Sequence, residues 1–281
     1  MASAGVFEAE IIATGDELIY GRVLDTNSHW LAQRLAELGV KLRRVTMVGD
    51  VREDIVDAVK GALGRRPTFL IVSGGLGPSE DDITVESLGE ALGLGVTLDP
   101  EGVEKIRGVY LARGITEEAA LERGFRMARV LEGSKPIPNP VGFASGMSVE
   151  WGPTTIFTLP GVPQELKAMF DTHIAPRLRE ASHRSFLGRT YEVYMVWKEF
   201  FPLYREMQRD FPEAYIKNAA TPPVEGESRE EFHLIKVDIV VSGETMGEAE
   251  ENLERLVSEY RRRIQSTSGG WIKEVHPRKR N

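Results

Sequence analysis

Phe69-Leu70-Ile71-Val72-Ser73-Gly74-Gly75-Leu76-Gly77-Pro78-Ser79-Glu80-Asp81-Asp82-Ile83-Thr84 is the stretch that decides the fold. Its opening apolar run is the mark of a buried strand, bounded by turn residues and followed by the start of a helix. The closely spaced glycines let backbone amides turn toward a ligand without side-chain obstruction, which is how phosphate oxygens are commonly held. Two adjacent aspartates in the same loop would repel that phosphate unless a divalent cation stood between them. A metal-bridged phosphate ester or anhydride is therefore the first ligand class to consider.

The pattern around this loop repeats. Phe7 to Thr14 and Val40 to Val48 read as strands, and Thr155 to Leu159 returns as another. Between them lie helical patterns: one from Thr26 with Trp30, Leu31, Leu35 and Leu38 on one face and Asp25 as its cap, one through Ile55, Val56, Val59 and Leu63, and one through Val85, Leu88 and Leu92. Strands alternating with helices predict a doubly wound α/β fold around a mostly parallel sheet. A polar helical insertion is expected from Pro100 to Arg129 as a lid or flank, its apolar face Val103, Ile106, Val109 and Tyr110 resting on something not identifiable locally. The pattern breaks near residue 178 into a polar connection. The first domain is accordingly taken as 1–177, and 178–281 as a smaller α+β domain ending in a basic tail, Pro277 to Asn281. In that second domain Thr190 to Trp197 and Glu231 to Val241 alternate as strands, while Phe200 to Phe211 and Thr245 to Ile264 keep helical spacing.

Four loops of the first domain each follow a predicted strand, so they should share the carboxyl edge of one sheet, where open α/β folds bind ligands. They carry Thr14, Gly15, Asp16 and Glu17; Gly49 and Asp50; Ser73, Gly74, Gly75, Leu76 and Gly77 with Asp81 and Asp82; and Pro160 with Gly161. Each has a plain alternative, since glycine and aspartate favour turns and Asp50 could cap the helix behind it. Read together, Asp50 and Asp82 are the candidate catalytic residues, Asp50, Asp81 and Asp82 the candidate ligands of Mg2+ or a similar cation, the amides of Gly74 to Gly77 the phosphate cradle, Asp16 and Glu17 outer ligands, and Thr14, Gly15, Ser73, Pro160 and Gly161 the rest of the binding loops. Only Arg22 and Arg52 lie near these loops in sequence. Ser145 lacks the spacing of a nucleophile elbow and has no histidine in local reach.

Composition narrows the partners. Thirty-five basic against 43 acidic residues leave a net charge of −8, which argues against a nucleic-acid footprint. Cysteine is absent and the five histidines are too far apart for a spaced zinc motif, leaving hard, oxygen-ligated cations. No segment reaches a membrane-spanning apolar length and Met1 to Gly5 has no targeting pattern, so a cytoplasmic protein is expected.

The runs Thr14-Gly15-Asp16-Glu17-Leu18, Asp25-Thr26-Asn27, Val48-Gly49-Asp50, Gly74-Gly75-Leu76-Gly77-Pro78 and Asp81-Asp82-Ile83-Thr84 resemble the CinA family, as do Asn139-Pro140-Val141-Gly142 and Leu159-Pro160-Gly161-Val162-Pro163-Gln164-Glu165. The same domain is similar to the molybdopterin-binding MoaB/Mog domains of molybdenum-cofactor biosynthesis, whose acidic functional positions would fall on Asp50 and Asp82. The resemblance implies a pocket for a nucleotide or pterin phosphate and metal-dependent hydrolysis of ADP-ribose, the leading expectation. Binding or adenylylation of molybdopterin and a non-catalytic nucleotide-binding module are the alternatives. Longer members carry a C-terminal deamidase domain, for which the residues after the last expected helix leave no room. The second domain resembles KH modules in outline but has no Gly-x-x-Gly loop, so RNA binding is not expected. A homo-oligomer is.

Overall fold

The computed structural model describes residues 7–181, 185–219 and 228–275. The expected basic tail and the first six residues lie outside them. The chain divides into two compact units, residues 1–182 and 183–281.

In the first unit the elements run β1 (Glu8–Thr14), α1 (Asp16–Ile19), α2 (Thr26–Glu37), β2 (Lys41–Val48), α3 (Arg52–Gly64), β3 (Phe69–Ser73) and α4 (Thr84–Leu92). Next come β4 (Val96–Leu98), α5 (Pro100–Ala112), α6 (Glu118–Phe125), a 3-10 turn (Arg126–Ala128), β5 (Arg129–Leu131), β6 (Lys135–Ile137), β7 (Gly146–Trp151) and β8 (Thr154–Leu159). The unit closes with α7 (Pro163–Met169) and α8 (Ala175–Ala181), joined by a π-type turn over Phe170–Ile174. Six strands form one sheet in the order β2-β1-β3-β8-β7-β6. The first four are parallel, and β7 is antiparallel to both β8 and β6.

Strand alternation explains the layers. Ala9, Ile11, Phe69, Ile71 and Phe157 pack with Leu31, Leu35, Leu166 and Phe170 on one face. Ile12, Leu70, Val72 and Ile156 pack with Ile55, Val59, Val85 and Leu88 on the other. Neighbouring residues of each strand thus feed opposite cores, as a sheet covered by helices on both sides requires.

The connection near residue 178 is helix instead. α8 runs on to Ala181, because the π-type turn displaces the helical ladder just ahead of Pro176, which has no N–H to offer. The insertion is not one helix either: the face of α5 bearing Ile106 and Tyr110 rests on α6, where Gly124 leaves no room for a Cβ beside those two side chains.

The second unit holds β9 (Ser185–Val196), α9 (Trp197–Asp210), β10 (Tyr215–Asn218), β11 (Phe232–Gly243), α10 (Met246–Thr267) and β12 (Trp271–Glu274). Its antiparallel sheet runs β10-β11-β9-β12. Val193, Met195, Ile235, Val237 and Ile239 pack with Phe200, Leu203, Leu256 and Tyr260. Trp197, expected to end a strand, starts α9, so Pro202 falls inside that helix. Strands β10 and β12, four residues each, left no legible pattern.

Candidate functional site

The four parallel strands end side by side, and the loops after β1, β2, β3 and β8 line a pocket of about 510 Å³ in the first unit. Of the expected residues, Thr14, Gly15, Glu17, Asp50, Gly74, Gly75, Leu76, Gly77, Asp81, Asp82, Pro160 and Gly161 line it. Asp16 and Ser73 do not. Ser73 is buried at the end of β3, and Asp16 has a different task.

Two loops are locked together by reciprocal bonds. The Asp16 amide donates to Asp50 Oδ2 at 3.0 Å, and the Asp50 amide donates to Asp16 Oδ1 at 3.1 Å. The Gly15 amide donates to the Val48 carbonyl at 3.1 Å. Asp50 therefore does not cap α3, whose N-cap is Val51 without a side-chain bond. It positions the loop after β1.

The glycine loop is determined by lack of space. Gly74 and Gly75 have φ of +109° and +62°, a region that disfavours any residue with a Cβ. A Cβ on Gly74 would run into the Thr14 carbonyl, and one on Gly75 into Thr84 Oγ1. The Thr14 hydroxyl lies 3.2 Å from that of Thr84 and also donates to the Ser73 carbonyl at 3.4 Å, joining β1, β3 and the start of α4 beneath the loop. The Gly74 amide reaches the Leu159 carbonyl at 3.0 Å, fixing the loop to the end of β8. Asp82 Oδ2 accepts from the Ser79 amide at 2.9 Å and closes the acidic turn on itself.

The rest of the pocket wall was not legible from strand ends. Met127, Phe143, Ala144 and Glu165 line it, with Val162 beside Gly161 in the loop after β8. Asn139 organises this wall: its Nδ2 donates to Glu165 Oε2 at 2.6 Å and to the Ala144 carbonyl at 3.2 Å, while its Oδ1 accepts from the Gly142 amide at 2.7 Å. From α5, Lys105 Nζ donates to the Asn139 and Gly142 carbonyls at 2.6 and 2.7 Å. Buried Ser145 donates to Asp99 at 2.8 Å, so its hydroxyl serves structure. The insertion expected as a lid or flank buttresses the pocket wall.

Electrostatically the pocket is acidic. Burial holds the Asp50 carboxyl above the ordinary carboxylate range; the hydrogen bond from Asp16 opposes this, and the charges of Asp16, Glu17 and Asp81 add to it. Among the described residues, no three Asp, Glu or His side chains stand close enough to hold a metal ion. Asp50, Asp81 and Asp82 share the pocket without forming a ready cage, since Asp82 turns to its own loop. That donor set suits an ion of the Mg2+ kind, which takes one or two carboxylates and completes its shell with phosphate oxygens and water.

In the second unit Tyr191 and Trp197 are buried while Tyr194 is exposed. Among the described residues no helix is long and apolar enough to cross a membrane.

Residues 10–180 match a family model described as a probable molybdopterin binding domain. A CinA-like protein of Myxococcus xanthus is 42% identical over 185 residues, covering 66% of this chain and 43% of that protein, so the chain spans less than half of it. A protein of Aeropyrum pernix is 34% identical over 271 residues, 95% of this chain and 97% of that one. Among solved structures, the protein CinA from Thermoplasma acidophilum, described as of unknown function, superposes with a TM-score of 0.55 at 30% identity, covering 63% of this chain and 99% of that chain.

Proposed function

Because the chain belongs, through residues 10–180, to the family of probable molybdopterin-binding domains, we propose that its pocket binds a phosphorylated pterin of the molybdopterin class. The observation that carries this is a lining of two unlike kinds. Gly74, Gly75 and Gly77 present backbone with no side chain to hinder a phosphate, and the same pocket is lined by the apolar side chains of Phe143, Met127 and Val162 and by the carboxylate of Glu165. A planar heterocycle fits such a surface. The amide N–H and exocyclic amine of a pterin together form a two-donor edge, which a carboxylate accepts well and which adenine lacks. Glu165, oriented by Asn139 through one oxygen, keeps the other for that edge.

Asp50, Asp81 and Asp82 would hold a divalent cation such as Mg2+ jointly with the phosphate, and the ion would supply the positive charge that the loop itself lacks. Asp16 and Asp50 keep the first two loops in register with each other, and Thr14 and Thr84 support the glycine turn from below. None of the comparisons points to ADP-ribose hydrolysis, the leading expectation from the sequence; the molybdopterin alternative is the one they support.

The test is a thermal-shift titration with Mg2+ present, comparing a molybdopterin-class pterin phosphate with ADP-ribose. At a hundredfold excess over Kd, a ligand of the folded state adds about 2.7 kcal/mol, or roughly 5–10 °C for a unit of this size. A shift with the pterin alone is expected. A shift with ADP-ribose and none with the pterin overturns the proposal, and AMP release in that sample would return the hydrolase to first place.

A further inference from the structure

A pocket that receives a phosphate usually presents a guanidinium or ammonium, yet the arginines nearest its loops in sequence do not serve. Arg22 and Arg52 do not line it, and Arg52 lies 3.6 Å from Glu90. Arg126, on the insertion, does not line it either, but it reaches a residue that does. Arg126 opens the 3-10 turn after α6, and its Nη2 donates to the Asp82 carbonyl at 3.5 Å. Its Nε is buried without any hydrogen-bond partner. Among the described residues it joins no ion pair. Asp82, which it touches, and Met127, which follows it, both line the pocket.

The segment bearing Arg126 is fixed. The Met127 carbonyl accepts from the Ser145 amide at 2.8 Å, and the Ala128 carbonyl accepts from the Asp99 amide at 2.7 Å. A half-buried guanidinium held on such a segment, with its Nε shut away from water and from any partner, is costly unless something completes its bonding. Oxyanions are the natural complement of a guanidinium, which offers parallel N–H groups to two oxygens at once.

We propose that Arg126 is the anion-binding side chain of this pocket, its free guanidinium N–H groups taking the phosphate that the glycine loop cradles. The inference rests on the phosphate placement given above and adds a residue, carried by the insertion, to the ligand's recognition. It also gives the insertion a part in binding beyond its buttressing of the wall.

Inorganic pyrophosphate is the probe, titrated by calorimetry with Mg2+ into the whole chain and into Arg126→Ala and Arg126→Lys. Losing a charge-assisted bond should weaken binding by about 10- to 100-fold in Arg126→Ala. Arg126→Lys should fall between, because an ammonium lacks the fork. Guanidinium ion at low millimolar concentration should restore part of the affinity to Arg126→Ala, a recovery that a purely structural role would not give. Equal affinity in wild type and both variants overturns this inference alone. Should Arg126→Ala fail to fold, Arg126→Lys decides by the same comparison. If the wild type does not bind pyrophosphate at all, the phosphate placement falls and this inference falls with it.

Discussion

Replacing Gly74 by alanine should be among the most damaging single-methyl additions in the first unit, and replacing Gly161 should be nearly silent, although both residues line the same pocket. Gly74 has a φ of +109°, and a Cβ there would strike the carbonyl oxygen of Thr14. That oxygen belongs to a strand paired on both sides, with β2 and with β3, and cannot retreat as a flexible side chain would. The backbone strain of a non-glycine residue in such a conformation costs about 1–3 kcal/mol. Relief of the overlap by shifting a packed strand costs a similar amount. Together they suggest about 4 kcal/mol, which for a unit of this size is roughly 8–16 °C of Tm. At Gly161 the nearest atom to an added Cβ is the Gly74 Cα at 3.5 Å, an ordinary contact, and the change should stay within about 0.5 kcal/mol. Differential scanning calorimetry of both variants, with urea unfolding followed by circular dichroism, measures the contrast. A Gly74→Ala protein as stable as wild type, or a Gly161→Ala protein equally damaged, would show that the loop is not held as described.

Two further outcomes follow from the charges and buried polar atoms. The Asp50 carboxyl is held above its ordinary value of 3.8, so its ionised form is disfavoured by the fold: stability contributed by the protonated group is present below the unfolded value and lost as pH rises through the folded one. Asp50→Asn, which can still accept from the Asp16 amide, should therefore be more stable than wild type at pH 7 without ligand, with the gap closing below about pH 4; thermal melts from pH 3 to 8 that show no such convergence would refute the electrostatic account. In the second unit the hydroxyl of Tyr260 is buried with no partner, and burial pushes its ionisation upward. Tyr260→Phe should be neutral or stabilising by about 1 kcal/mol in urea unfolding, whereas a loss above that size would mean the hydroxyl is bonded in solution.

Much of the site was readable because strand-end loops have local signatures. Buried runs such as Phe69 to Val72 announce a strand, and glycines and aspartates directly after it announce a turn that must face the sheet's carboxyl edge. Roles within the loops were less readable. Asp50 by itself reads somewhat more readily as a helix cap than as a site residue, and only the facing amide of Asp16 distinguishes them. Asp16 looked like a pocket residue and proved to be a clasp. Glu165 appears in the sequence only as the end of a familiar motif and Phe143 only just beyond another, since their place in the wall depends on Asn139 and on Lys105 from the insertion. Arg126 gave no local signal, because it lies 44 residues from the carbonyl it touches.

Periodicity and turn chemistry along the chain determined the alternating α/β layers, the parallel strands and the acidic, glycine-rich edge, for those depend on interactions within a few residues. Tertiary structure alone decided which carboxylates face the pocket and which are used up binding neighbouring amides. Such choices turn on hydrogen bonds and excluded volume between segments far apart in the chain, and no local pattern encodes a distance between them.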